Sequence, residues 1–140
     1  MQESPAVYLD DAAVLMLAVD GDLRTRLLAA LAEHVKSGGS ICTSAAALAT
    51  VQDYFLKSGD PVRLRSFWNG LDGLFREILP VRGEDLGRAL DLIEEAAAQG
   101  QTLSGDQALH AAIVLNHRLA WLCDVRETYG VVPGIKAFEF

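Results

Sequence analysis

Short apolar runs alternate along this chain with longer stretches in which apolar residues recur every three or four positions, a pattern that predicts strands alternating with helices. Val7-Tyr8-Leu9 is such a run, and it stops abruptly at Asp10-Asp11, as a buried strand does where its carboxyl end meets polar chemistry. Ala12 to Val19 then predicts a short buried helix, broken at Asp20-Gly21-Asp22, which also offers an N-cap to the next helix. Leu28, Leu31, Ala32 and Val35 give that second helix one apolar stripe, and Ser37-Gly38-Gly39 ends it. Ile41-Cys42-Thr43 is the second strand, and Ser44 opens an alanine-rich helix with Leu48, Val51 and Phe55 at helical spacing.

Lys57-Ser58-Gly59 closes this helix, and Asp60-Pro61 starts another that carries Leu64, Phe67, Trp68, Leu71 and Leu74. Ile78 to Val81 is a third apolar run. After the Gly83-Glu84-Asp85 turn, Leu86, Leu90, Ile93 and Ala97 predict one buried face on a helix that stops at Gly100. Ser104-Gly105-Asp106-Gln107 has the form of a capping box, in which Gln107 returns to the cap N–H, and Ala108, Ala111, Ala112 and Leu115 follow as a small-residue face. Ala120 to Cys123 predicts a fourth strand ending at Asp124, Val132-Pro133-Gly134-Ile135 a turn, and Ala137 to Phe140 a last short strand. The expected fold is therefore α/β, a three-layer α/β/α sandwich around a mainly parallel sheet of four to five short strands.

Composition narrows this picture. At 140 residues, 51% of them hydrophobic and 22% charged, the chain has the size and apolar content of a single domain spanning residues 1–140. Twelve basic residues against nineteen acidic ones give a formal charge of −7, a field that repels a phosphate backbone. Lys57, Arg63, Arg65, Arg76, Arg82 and Arg88 are concentrated in one stretch, but Asp60, Asp72, Glu77, Glu84 and Asp85 bring it near neutrality, so it reads as a solvated mixed-charge surface. Cys42 and Cys123 stand far apart with no metal-ligand spacing, which argues against a disulfide framework or a zinc site. Met1 to Pro5 contains Glu3 and no basic segment, and the Ala12 to Val19 run is far too short to span a bilayer, so a cytoplasmic protein without a membrane partner is expected.

Ligands of parallel sheets bind at the carboxyl ends of the strands, which directs attention to Asp10, Asp11, Cys123 and Asp124. Aspartates there supply the oxygen ligands that hard divalent cations prefer, although strand ends are polar in most proteins. His110 reads as a satisfied core or boundary histidine, His34 and His117 as helix-surface residues, and Cys123 as a buried structural thiol with no adjacent histidine to activate it. The sequence contains no P-loop, GxGxxG, GxSxG or HExxH pattern.

Four segments, in order and at matching spacing, resemble the PIN-domain family of the VapC toxin ribonuclease type over nearly the full length. They are Val7-Tyr8-Leu9-Asp10 with the apolar Ala12 to Leu17, Thr43-Ser44 leading to Leu48, Leu103-Ser104 through Ala108-Leu109-His110-Ala111-Ala112, and Tyr129 to Ile135 with its Val132-Pro133-Gly134-Ile135 turn. The resemblance implies a toxin-antitoxin ribonuclease fold in which four acids hold Mg²⁺ or Mn²⁺ to activate a water against an RNA phosphodiester. It also implies a homodimer formed by the first helix and the segment of the 60s, an antitoxin-like protein partner, and RNA as the substrate class.

Residue by residue, the resemblance keeps only Asp10 of the four acids. The second family position falls on Thr50, the third on Gln107, and the fourth on Val125 or, at the family's shorter spacing, Arg126, which would place a positive charge where a cation sits. Asp53, Asp106 and Asp124 are nearby and could be displaced substitutes, but Asp106 is turned about 100° around its helix from Gln107. The expectation is a degenerate site at which Asp10 binds metal weakly, with no cofactor, and a protein acting through protein or weak nucleic-acid contacts. The competing expectation is an active Mg²⁺- or Mn²⁺-dependent endoribonuclease using Asp10 with Asp53, Asp106 and Asp124.

Overall fold

A computed structural model of the chain describes residues 4–19, 21–71 and 73–140. Met1 to Glu3, Asp20 of the predicted helix break and Asp72 of the charge balance lie outside the described residues. The elements are β1 (Ser4–Leu9), α1 (Asp11–Met16), α2 (Asp22–Lys36), β2 (Ser40–Ser44), α3 (Ala45–Lys57), α4 (Pro61–Gly70), β3 (Glu77–Leu79), α5 (Gly83–Ala98), α6 (Gly105–Asn116) and β4 (Leu119–Cys123), followed by a 3-10 turn at Tyr129–Val131.

The four strands form one sheet in the order β3-β2-β1-β4, and all three pairings are parallel. Successive side chains of a strand point to opposite faces, and here both faces are covered, which is why the strands read as unbroken apolar runs. Ala6, Tyr8, Cys42 and Leu122 pack under α5 and α6 with Ala89, Leu92, Ala96, Ala108, Ala111 and Ala112. Val7, Leu9, Ile41 and Cys123 pack on the other side with Ala13, Val14, Leu27, Leu31, Val51, Phe55 and Leu64 from the first four helices. Burying each larger aliphatic side chain contributes about 1.5–3 kcal/mol, so these two layers hold the sheet between them.

Local sequence sets the helix ends. Asp10, Ser44, Asp60 and Ser104 cap α1, α3, α4 and α6, each accepting from the backbone N–H three residues on. Gly59 and Gly100 adopt left-handed φ values of 71° and 73°, which lets Asp60 N–H and Gln101 N–H reach back to the carbonyls of Phe55 and Ala96 and close α3 and α5. No helix among the described residues is long and apolar enough to cross a membrane.

Four sequence expectations are corrected. The face of α5 predicted from Leu86, Leu90, Ile93 and Ala97 is not the buried one: Leu86 and Leu90 are each 57% exposed, while Asp85, Ala89, Leu92 and Ala96 are buried. Leucine spacing misleads here because the small residues permit close approach to α6, and because the Asp85 carboxylate is satisfied inside by Asn116 Nδ2 at 2.9 Å and by the Arg82 N–H at 3.0 Å. The strand expected over Ala137 to Phe140 is only a bridge, in which Leu122 N–H donates to the Lys136 carbonyl and Phe138 N–H to that of Leu122. The first helix ends at Met16, three residues before Val19. At α6 the Ser104 hydroxyl accepts from Gln107 N–H, which is one half of the expected capping box.

Candidate functional site

The sheet order reverses direction beside β1, since β2 follows on one side and β4 is added on the other, and such a switch point opens a crevice at the carboxyl ends of the strands. Leu9 pairs in register with Cys123, so Asp10 and Asp124 leave adjacent strands at the same level. What they do there differs. The Asp10 side chain is 1% exposed, and its carboxylate is fully engaged: Oδ1 accepts from Ala13 N–H at 2.9 Å, while Oδ2 accepts from Tyr129 Oη at 2.7 Å and from Arg126 Nη2 at 3.2 Å. Asp124 accepts from Thr128 N–H at 3.0 Å and Tyr129 N–H at 3.1 Å and so pins the loop on which Arg126 rides. Glu127 in that loop has a left-handed φ of 54°, a conformation few side chains adopt without such support.

Arg126 Nη2 also donates to Asp11 Oδ1 at 3.1 Å, and the same oxygen faces His110 Nε2 at 3.3 Å. On its other side His110 Nδ1 meets Tyr8 Oη at 2.6 Å, and Tyr8 Oη meets Ser44 Oγ at 2.7 Å. In the tautomer whose Nε2–H donates to Asp11, Nδ1 accepts, so Tyr8 donates to it and Ser44 donates to Tyr8, while Ser44 Oγ accepts from Ala47 N–H. One polar chain thus runs from Ser44 through Tyr8, His110, Asp11 and Arg126 to Asp10 and Tyr129.

The electrostatics follow from burial and pairing. The Asp11 carboxyl is held below its ordinary value by the His110 hydrogen bond, which burial opposes and Arg126 reinforces. Burial raises the phenols of Tyr8 and Tyr129 far above the usual range, with Asp10 adding to both, so both remain neutral donors. Burial would lower the Arg126 guanidinium, but the Asp11 and Asp10 charges outweigh it and raise it, so Arg126 is always a cation. The Cys123 thiol is pushed up to about 12 by burial and by Asp10 and Asp124, which removes it as a nucleophile.

The remaining sequence candidates stand elsewhere. Thr50 is exposed and its hydroxyl donates to the Ala46 carbonyl at 3.1 Å, one turn back on α3. Asp53 is 60% exposed and pairs with Lys57 at 2.8 Å. Asp106 is exposed and Gln107 half-buried in the first turn of α6, while Val125 packs against the core beside Cys123. Among the described residues no group of three or more His, Cys, Asp or Glu side chains gathers where it could hold a metal ion. Both Asp10 oxygens already accept hydrogen bonds, and the cation beside Oδ2 is the Arg126 guanidinium at 3.2 Å. Tyr129 was not anticipated as a site residue; its only sequence signal is that of an aromatic in the closing turn, which buries its ring and must find a partner for its hydroxyl.

No known family's sequence model matches the chain. It is 28% identical over 107 residues to ribonuclease VapC13 of Mycobacterium tuberculosis, spanning 76% of this chain and 79% of that protein. In fold it is similar to DNA-bound VapBC from Salmonella typhimurium, with a TM-score of 0.71 and 18% identity over 94% of this chain and 96% of that one. It is similar also to a toxin-antitoxin complex from Klebsiella pneumoniae, with a TM-score of 0.63 and 16% identity over 95% and 98% of the two chains.

Proposed function

We propose, on the premise that this chain is a VapC-like PIN domain, that it is a catalytically impaired member of the ribonuclease fold, acting in the cytoplasm through protein or weak nucleic-acid contacts. The observation that carries this reading is the Arg126 guanidinium 3.2 Å from Asp10, the one matching family acid, with Tyr129 on the same oxygen. Phosphodiester hydrolysis in such a site needs a cation that binds phosphate oxygen and activates water, and a carboxylate that already accepts from three donors, one of them a guanidinium, is a poor ligand for it. The alternative with displaced carboxylates finds no support in geometry, since Asp53 faces Lys57 in solvent and Asp124 spends both oxygens on the backbone.

The partners implied are an antitoxin-like protein and a second copy of the chain. Their support is the assembly of the Klebsiella and Salmonella neighbours, together with apolar side chains left exposed near the first helices, among them Val19 and Leu23. A calorimetric titration with Mn²⁺ should give no tight isotherm, and single-stranded RNA should survive incubation in Mg²⁺ or Mn²⁺. Metal-stimulated cleavage that persists through repurification and disappears in Asp10→Ala would establish the alternative.

A further inference from the structure

Asp10 and Asp11 are consecutive carboxylates at the end of a buried strand, and a single atom serves both. Arg126 Nη2 lies 3.2 Å from Asp10 Oδ2 and 3.1 Å from Asp11 Oδ1, with those side chains 1% and 16% exposed. Two carboxylates in such a place repel one another and favour protonation unless a cation sits between them. Two kinds of cation do that work: a divalent ion, which demands a near-complete shell of oxygen ligands, or a guanidinium, which needs only acceptors along its fixed N–H directions. The corner is built for the second, because the loop that carries Arg126 is pinned by Asp124 and Tyr129 returns from it to Asp10.

We infer that Arg126 is the resident counter-cation of this corner, an intramolecular stand-in for a divalent ion that holds Asp10 and Asp11 together and shuts them to metal. This rests on the metal-free reading of the site given above. It follows that the corner becomes receptive to a divalent cation when the guanidinium alone is removed, since Asp10 Oδ2 and Asp11 Oδ1 are then left without a positive charge beside them.

The experiment is thermal unfolding of the full chain as wild type, Arg126→Ala, Arg126→Lys and Arg126→Ala/Asp10→Asn, each in chelator and in millimolar MnCl₂. The wild-type midpoint should be the same in both. Arg126→Ala should unfold about 5–10 °C lower in chelator, as expected when a buried carboxylate loses its charged partner. Mn²⁺ should restore part of that loss, because a ligand that binds only the folded state stabilises it by mass action. Arg126→Lys should stay near wild type and ignore metal, and the double variant should ignore metal because one of the two carboxylate charges is gone. If Arg126→Ala does not fold in chelator, its refolding yield with and without Mn²⁺ gives the same readout, with recovery expected only in Mn²⁺. An Arg126→Ala protein as stable as wild type, or one that Mn²⁺ leaves unrecovered, overturns this inference while a metal-silent wild type leaves the proposed function standing. Stabilisation of wild type by Mn²⁺ to the same extent overturns both.

Discussion

Asp10 and Asp53 are both acids that the sequence places near one site, and the fold treats them in opposite ways. Asp10 is 1% exposed and receives three donors from parts of the chain more than a hundred residues apart, whereas Asp53 is 60% exposed and pairs with Lys57, one turn along the same helix. The first is over-determined: removing any partner leaves a buried charge short of compensation. The second is a solvated pair in which water replaces either partner at little cost. An aspartate's role is thus set by what the fold brings to its oxygens, and only one of these two has been given a structural task.

The largest effect expected from breaking this contrast is at Asp10. Asp10→Ala removes the cap of α1, strands Arg126 and Tyr129 without their acceptor and leaves Asp11 as the guanidinium's remaining partner. A loss of about 3 kcal/mol is expected, combining a lost N-cap with the hydrogen bonds and ion pair of a buried carboxylate. Urea unfolding followed by circular dichroism measures it. A loss no larger than that of an ordinary surface substitution would mean that Asp10 is not the keystone of this corner.

The sequence displays the two regions unequally, for physical reasons. Strands buried on both faces must be apolar throughout, so Val7-Tyr8-Leu9 and Ile41-Cys42-Thr43 were legible at once, as were the caps Ser44, Asp60 and Ser104, whose chemistry is local. The buried face of α5 was not legible, because the decision between Leu86-Leu90 and Ala89-Ala96 depends on how closely α6 approaches and on a polar bond from Asp85 to Asn116. The position of Asp10 at a strand end could be read, and so could the positive charge that Arg126 would bring. The contact itself could not be read, since it closes a loop of more than a hundred residues and depends on a left-handed Glu127 and on two backbone bonds to Asp124. Tyr129 escaped for a related reason: a buried tyrosine needs a hydroxyl partner, but sequence alone does not name it.

Acid sharpens the comparison through Asp11, which sits between the two extremes. Its folded carboxyl is held below the ordinary value of 3.8, first by His110 and then by Arg126 against the opposing effect of burial. A carboxyl lowered on folding contributes stability that is fully present above its unfolded value and lost as the pH falls through its folded value. Wild-type stability should therefore fall from about pH 4 downward, and Asp11→Asn should flatten part of that slope while lowering stability at neutral pH. The effect is smaller than at Asp10, because Asp11 is 16% exposed against 1% and solvent screens part of its pairing. Parallel slopes for the two proteins between pH 5 and pH 3 would show that the pairing seen here is not what acid disrupts.

The smallest effect belongs to Asp53, where little change is the informative result. Asp53→Ala removes a carboxylate whose partner, Lys57, is itself open to solvent, and alanine is the best helix former for an interior position such as this one in α3. The lost charge pair and the gained helix propensity oppose each other, so the unfolding midpoint should not move measurably at moderate ionic strength. If the midpoint is instead unmoved in chelator but falls for the variant relative to wild type in Mn²⁺, Asp53 must bind an ion in the folded protein, since only a ligand held by the native state could create a metal-dependent difference. The same denaturation series, run with and without metal, therefore separates a solvated surface pair from a displaced ligand, and the geometry of Lys57 against Asp53 predicts the former.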